Sequence, residues 1–301
     1  MLNKNNIVFL GDSFTWGEGL ELYSEFPKWV NEREIDNNNW VILRDKQDED
    51  SIKFRNEHRY PHLVASKLDC NYFVDTENGG TIARNMKVLK KILIDNLNIT
   101  DVVIQFSTYS RETLHMNFEC SCDFCLDTHW APILDNLNMF IIKKIDKNNG
   151  DNEIKRNEQK VFDYVSQKIN NTDYTSTEFL NQVDDFVQTN FSRQLEFLCE
   201  SYFKELKNSH NIRFHFIDSW CTTTSKILKK NDFIQPRLIP LIGKTDREYQ
   251  TWYDWTQTFD TKLISEDFPK TGNGHPTLEM HEYLGKSVYK HFASFFKLSY
   301  I

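Results

Sequence analysis

Residues Ile7 to Gly19 read IVFLGDSFTWGEG, a short apolar run that stops abruptly at Gly11-Asp12-Ser13. Asn6 to Leu10 has the length and β-branched content of a buried strand, and Gly11 supplies the turn that ends it. This step sets a serine hydroxyl at the C-terminal end of a strand. In open α/β sheets, ligands bind in the crevice beyond those ends. The same residues admit a second reading, in which Asp12 or Ser13 merely caps a following helix. What separates the two readings lies elsewhere in the chain.

Glu21 to Arg59 is polar, carries the run Asn37-Asn38-Asn39 and has no clear period, so an insertion or long loop with one short helix is expected. Tyr60 to Leu68 has proline near its first turn and apolar positions at helical spacing. Asn71 to Asp75 reads as a second strand, followed by Asn78-Gly79-Gly80-Thr81, which holds the only paired glycines. Met86 to Leu97 reads as an amphipathic helix and Asp101 to Phe106 as a buried strand. This alternation implies parallel pairing with right-handed crossovers.

From about residue 112 to 178 the pattern breaks, and an inserted subdomain or lid is expected there. Helical periodicity returns from Phe179 to Lys207, followed by a strand at Ile212 to Ile217. An aromatic-rich loop spans Asn231 to Asn273, and a helix from Leu278 to Phe296 closes the chain. With no internal repeat and no convincing linker, one domain over residues 1–301 is expected, with insertions at about 21–59 and 112–178.

The 301 residues suffice for one large α/β domain, and 39% hydrophobic with 27% charged residues fits a globular chain. No apolar run is long enough to cross a bilayer, so no membrane partner is expected. Met1 to Asn6 lacks a signal-peptide profile, and a cytoplasmic location is the expectation. A net charge of −8 argues against nucleic acid as a partner, because phosphate binding needs a basic face.

Near the C-terminus stands Gly272-Asn273-Gly274-His275-Pro276-Thr277, just before the last helix. Ser13 as nucleophile and His275 as general base would form the core of an acyl-transfer site. GDS after the first strand, Gly-Gly after the second and His-Pro before the last helix, in that order, resemble the GDSL/SGNH hydrolases. The resemblance covers these core blocks and not the two insertions. It implies a flavodoxin-like three-layer α/β/α fold with a central, mostly parallel sheet. It also implies Ser13 as nucleophile and first oxyanion donor, Gly80 (or Gly79) as second donor through its backbone N–H, and His275 as base. Each such donor is worth ~3 kcal/mol in the barrier.

Two departures stand out. The family's third block carries Gly-x-Asn-Asp, whose asparagine completes the oxyanion hole. Here that place reads Gln105-Phe106-Ser107-Thr108-Tyr109-Ser110-Arg111-Glu112, with Thr108 at the asparagine position. Ser107 or Thr108 would donate a hydroxyl instead, or the hole has two donors, as in a divergent branch. The family's aspartate before the histidine is also missing, its place being taken by Asn273 and Gly272. An amide orients an imidazole without stabilising its cation, and the comparable change in a serine protease lowers turnover ~10⁴-fold. Asp267 or Glu266 could supply the carboxylate, or Ser13 and His275 could act as a dyad.

Cys120, Cys122 and Cys125 with His129 form a Cys-x-Cys-x₂-Cys-x₃-His pattern, which suits a structural zinc or three reduced thiols. His115 is a further ligand option. Such a zinc would staple the inserted segment, and no cofactor is expected in catalysis. Tyr249, Trp252, Tyr253, Trp255 and Phe259 either cover the core or stack on a sugar ring, with Trp252 the candidate substrate contact. Arg84 and Arg111 follow the glycine turn and a strand end, placed for a substrate carboxylate or phosphate, or for surface ion pairs.

The leading expectation is a serine esterase removing an acyl group such as acetyl from a carbohydrate or small hydroxylated substrate. An acyltransferase to a sugar hydroxyl is the close alternative. A non-catalytic glycan-binding or structural protein on a decayed hydrolase fold is the third, favoured by the Asn273 and third-block departures.

Overall fold

Four consecutive apolar positions, Ile7 to Leu10, are each no more than 1% exposed, the pattern of a strand covered on both faces. The computed structural model describes residues 6–17, 20, 49–74, 81–94, 98–109, 113–116, 129–145, 156–259 and 276–296. The chain begins with β1 (Asn6–Leu10), α1 (Ser13–Trp16), α2 (Glu49–His58), α3 (Tyr60–Leu68), β2 (Asn71–Val74), α4 (Ile82–Ile94) and β3 (Asp101–Gln105). There follow β4 (Thr113–Met116), β5 (His129–Pro132), α5 (Ile133–Ile145), α6 (Arg156–Ile169) and α7 (Thr177–Phe197), then a π-helical stretch, Leu198–Phe203. The last elements are α8 (Lys204–His210), β6 (Arg213–Ile217), α9 (Thr222–Lys229), β7 (Leu241–Ile242), β8 (Glu248–Tyr249), α10 (Trp252–Thr256) and α11 (Leu278–Phe296).

The chain divides into two compact units, one made of Met1–Ser107 with Phe203–Ile301 and the other of Thr108–Tyr202. In the first, β2-β1-β3-β6 form an all-parallel sheet, the core of a three-layer α/β/α fold. The register pairs Leu10 with Ile104 and Gln105 with Ile217, so the C-terminal ends of β1, β3 and β6 lie side by side. One face carries Ile7, Phe9, Val103 and Ile217 against Tyr60 and Val64 of α3 and Met280, Leu284, Val288 and Phe292 of α11. Phe214 and Phe216 point the other way, where Phe203 packs at 4.7 and 5.7 Å between ring centroids.

The four strands end within one residue of the sequence expectation. α4 instead starts at Ile82, four residues before Met86, because the Thr81 hydroxyl accepts the Arg84 N–H at 3.2 Å and caps the helix there. Within the stretch expected to be an aromatic loop, β7 and β8 form a short hairpin and α10 a helical turn. The spacing of Trp252 and Trp255 buries both rings on one side of that turn. In the second unit β4 and β5 pair antiparallel. Ile133 and Leu137 of α5, Val161 and Val165 of α6, and Phe179, Val183 and Val187 of α7 share a separate core. Among the described residues no helix is long and apolar enough to cross a membrane.

Asp101 is fully buried at the start of β3. It accepts from Arg213 Nε at 2.8 Å and Nη2 at 2.7 Å, from Thr100 Oγ1 at 2.7 Å and from His215 Nε2 at 2.9 Å. Burial alone would raise its pKa, but the bonds from Arg213 and His215 outweigh that and hold it below the ordinary value. On its other side His215 Nδ1 lies at hydrogen-bond distance, 2.9 Å, from His291 Nε2. Burial and the neighbouring His215 bring His291 down to about 4, against the opposing pull of Asp101. Its pKa is lower folded than unfolded, so its contribution is complete above 6.5 and is lost as pH falls toward 4. Urea denaturation is expected to show the wild type losing about 2 kcal/mol more than His291→Gln between pH 7 and pH 4.5.

Candidate functional site

The turn after β1 is built around what is absent at Gly11. A Cβ there would stand 2.8 Å from Thr15 Cβ and 3.1 Å from Gln105 Cβ, so only glycine lets the turn close onto β3. Asp12 then caps α1, its Oδ1 accepting the Phe14 N–H at 3.0 Å while Oδ2 accepts Trp220 Nε1 at 3.2 Å. The single helical turn is closed by Gly17, which donates to the Ser13 carbonyl at 3.0 Å from a left-handed conformation, φ 85. Ser13 is the first residue of this turn and is 2% exposed.

Beneath the turn runs a one-way hydrogen-bond chain. Thr15 Oγ1 donates to Gln105 Oε1 at 2.6 Å, so it must accept from the Tyr60 hydroxyl at 3.1 Å. Burial pushes the Tyr60 hydroxyl well above the ordinary tyrosine range, which keeps it a donor. The Tyr60 N–H in turn donates to His281 Nδ1 at 3.3 Å. Beside the turn, Phe14 stacks on Trp252 at 5.5 Å and packs at 5.9 Å from Trp220.

The end of β6 supplies Asp218, Ser219 and Trp220. Asp218 is 2% exposed; its Oδ2 accepts from Ser225 Oγ at 2.7 Å and the Trp252 N–H at 3.2 Å, with Lys229 Nζ at 3.8 Å. Its Oδ1 is buried without a hydrogen-bond partner among the described residues. Burial is the largest influence on Asp218 and raises its pKa, outweighing Ser225 and Lys229. Ser219 Oγ donates to the Ser107 carbonyl at 2.8 Å and accepts the Cys221 N–H at 3.1 Å, which ties the ends of β3 and β6 together.

Of the residues expected from sequence, Ser13 and Ser107 stand at neighbouring strand ends, and Ser107 Oγ is buried without a hydrogen-bond partner among the described residues. Thr108 is buried and opens the second unit. Arg84 lies in the first turn of α4. Trp252 is 4% exposed and braces Phe14; the exposed ring of that segment is Tyr253. Gly79, Gly80, Arg111, Cys120, Cys122, Cys125, Glu266, Asp267, Asn273 and His275 lie outside the described residues. The backbones of His115 and His129 belong to β4 and β5. Among the described residues no group of three His, Cys, Asp or Glu side chains could hold a metal ion.

Sequence reasoning missed Asp218, Trp220 and Gln105. One signal was present: Asp218-Ser219 follows a buried strand just as Asp12-Ser13 does. No protein-family model, curated protein or solved structure matches the chain.

Asp218 gives a signed test of this geometry. Its folded pKa is raised, so its contribution is favourable below 3.8 and is lost as pH rises through the folded value. Asp218→Asn is therefore expected to raise Tm at pH 7, with the gain shrinking as pH approaches 4 in thermal unfolding scans.

Proposed function

We propose that the chain is a serine esterase of the GDSL/SGNH type, acting on an acyl ester of a carbohydrate or other small hydroxylated molecule. The observation that carries this reading is the position of Ser13. It stands on a buried one-turn helix at the C-terminal end of an inner strand of an all-parallel sheet, where such sheets bind ligands.

In this mechanism Ser13 Oγ attacks the ester carbonyl carbon while His275 takes the hydroxyl proton. The tetrahedral oxyanion is held by the N–H groups of Ser13 and Gly80 and by the hydroxyl of Ser107 or Thr108. His275 then protonates the departing alcohol, and a water activated by the same histidine cleaves the acyl-enzyme. Ser107 Oγ, buried and without a partner among the described residues, supports a hydroxyl donor in the hole. Asn273 would orient the imidazole, and Arg84 or Arg111 would meet an anionic substrate group. A zinc on Cys120, Cys122, Cys125 and His129 would be structural, apart from the acyl chemistry.

A second reading is a decayed, non-catalytic site. It is favoured by Asp12, whose carboxylate is engaged as a helix cap and as the acceptor of Trp220. Labelling with a fluorophosphonate separates the two, since only an activated serine reacts. The esterase reading expects Ser13→Ala to lose at least ~10³-fold in p-nitrophenyl acetate turnover, and all labelling, at unchanged Tm. A wild type that does not label, or an alanine variant as active as wild type, rejects it.

A further inference from the structure

At the junction of α2 and α3 the chain half-buries a cation. Arg59 is the single residue between the two helices, with φ −68 and ψ 145, and its side chain makes no capping bond to α3. Its stem is held in place, because a Cβ built at Gly17 would stand 3.0 Å from Arg59 Cβ. Its Nε is buried without a hydrogen-bond partner among the described residues. Burial lowers its pKa, and the groups that oppose this are the hydroxyls of Tyr72 and Tyr60, with no carboxylate among them. Arginine stays charged in proteins, so the junction carries a cation that burial penalises and no anion offsets.

The neighbours of Arg59 add to this positive character. His62, in the first turn of α3, has Nδ1 at 3.1 Å from the Tyr72 hydroxyl and Nε2 at 3.2 Å from Ser66 Oγ. Burial lowers the His62 pKa; Glu57 opposes that, and Arg59 and His58 add to it. Glu57 itself is exposed and lies 4.0 Å from Lys53. Tyr72 belongs to β2, the edge strand of the sheet. His62 and Tyr72 are half-buried like Arg59, and Ser66 is exposed, so the cluster opens to solvent. A guanidinium, an imidazole and a phenol thus meet at the surface of a chain whose net charge is −8.

We propose that Arg59, Tyr72 and His62 form a receptor for one oxyanion, the phosphate or carboxylate group of a ligand. The guanidinium presents paired N–H donors in a planar fork that fits either group. The Tyr72 hydroxyl supplies a further donor when it turns from His62 to the anion. A bound anion also relieves the repulsion between Arg59 and His62, which the free protein leaves in place. The assignment does not involve Ser13 and holds whether or not the chain is an esterase.

Titration calorimetry with inorganic phosphate and with acetate, at constant ionic strength set by chloride, tests it. The wild type is expected to bind at least one of the two saturably, with the His62 ring signals shifting in NMR spectra over the same titration. Phosphate alone binding points to a phosphorylated ligand, and acetate binding as well as phosphate points to a carboxylate. Arg59→Met is expected to weaken binding about tenfold, and Arg59→Lys and Tyr72→Phe about threefold each, since lysine lacks the fork and phenylalanine the donor. Arg247→Met, at an exposed arginine on the β7–β8 hairpin, is expected to change nothing. A wild type with no saturable heat from either anion overturns the assignment. So does an Arg59→Met variant that keeps the wild-type Tm and binds within twofold, or an Arg247→Met variant that loses as much as Arg59→Met. If Arg59→Met does not fold, Arg59→Lys and Tyr72→Phe decide: unchanged affinity in both overturns the assignment, and a loss in either supports it.

Discussion

The close approach of Thr15 to the backbone at Gly11 is the constraint on which the rest of the candidate site depends. With no side chain at Gly11, Thr15 reaches Gln105 and the chain turns at once into α1. That turn fixes Asp12 as its cap and directs Phe14 against Trp252 and Trp220. Trp220 then bonds back to Asp12, and the Trp252 N–H bonds Asp218, so the end of β6 is tied to the end of β1 across the intervening strand. The parallel register brings the three strand ends level. The missing Cβ lets them be linked through side chains rather than through a longer loop.

How much of this was legible depends on whether the signal was local. β1, β2 and β3 were readable because each holds a short apolar run bounded by polar residues, β6 because Phe214 and Phe216 alternate with Arg213 and His215, and α3 and α11 because their apolar positions recur at helical spacing. The cap at Thr81 was a local signal that went unused. Trp252 and Trp255 carried another, a spacing of three that indicates a helical turn, hidden among polar neighbours. Gln105 and Asp218 carried none strong enough. Both are single polar residues at the ends of apolar strands, and their meaning comes from partners far away in sequence. Thr15 is 90 positions from Gln105, and Trp252 is 34 from Asp218. Only the topology brings such pairs together.

The two ends of the sheet treat buried polarity differently. At the N-terminal end, Asp101 is matched by a guanidinium, a hydroxyl and an imidazole, so its burial is compensated by hydrogen bonds that favour the charged form. At the C-terminal end, Gln105 Nε2, Ser107 Oγ and Asp218 Oδ1 are buried and unmatched among the described residues. The contrast does not follow from the fold, because the same three strands contribute at both ends. Nor does it come from a lack of neighbours, since two of these side chains already have a bonded atom: Gln105 through Oε1 and Asp218 through Oδ2.

Gln105 and Asp218 are thus half-anchored, with one side-chain polar atom fixed and another left over. A side chain with no bonds would rotate or draw in solvent, and a fully bonded one would have nothing to offer a ligand. Half-anchoring costs stability, on the order of 1–3 kcal/mol for each unmet buried atom, yet it fixes the direction in which the remaining atom points. Preorganisation in a site requires that combination, because donors and acceptors oriented before binding need no reorganisation when charge develops. Asp101 shows that the fold can satisfy a buried carboxylate completely. The incomplete satisfaction at the ends of β3 and β6 therefore does not come from an inability of the fold to pair buried polar groups, and it lies where parallel sheets bind their ligands.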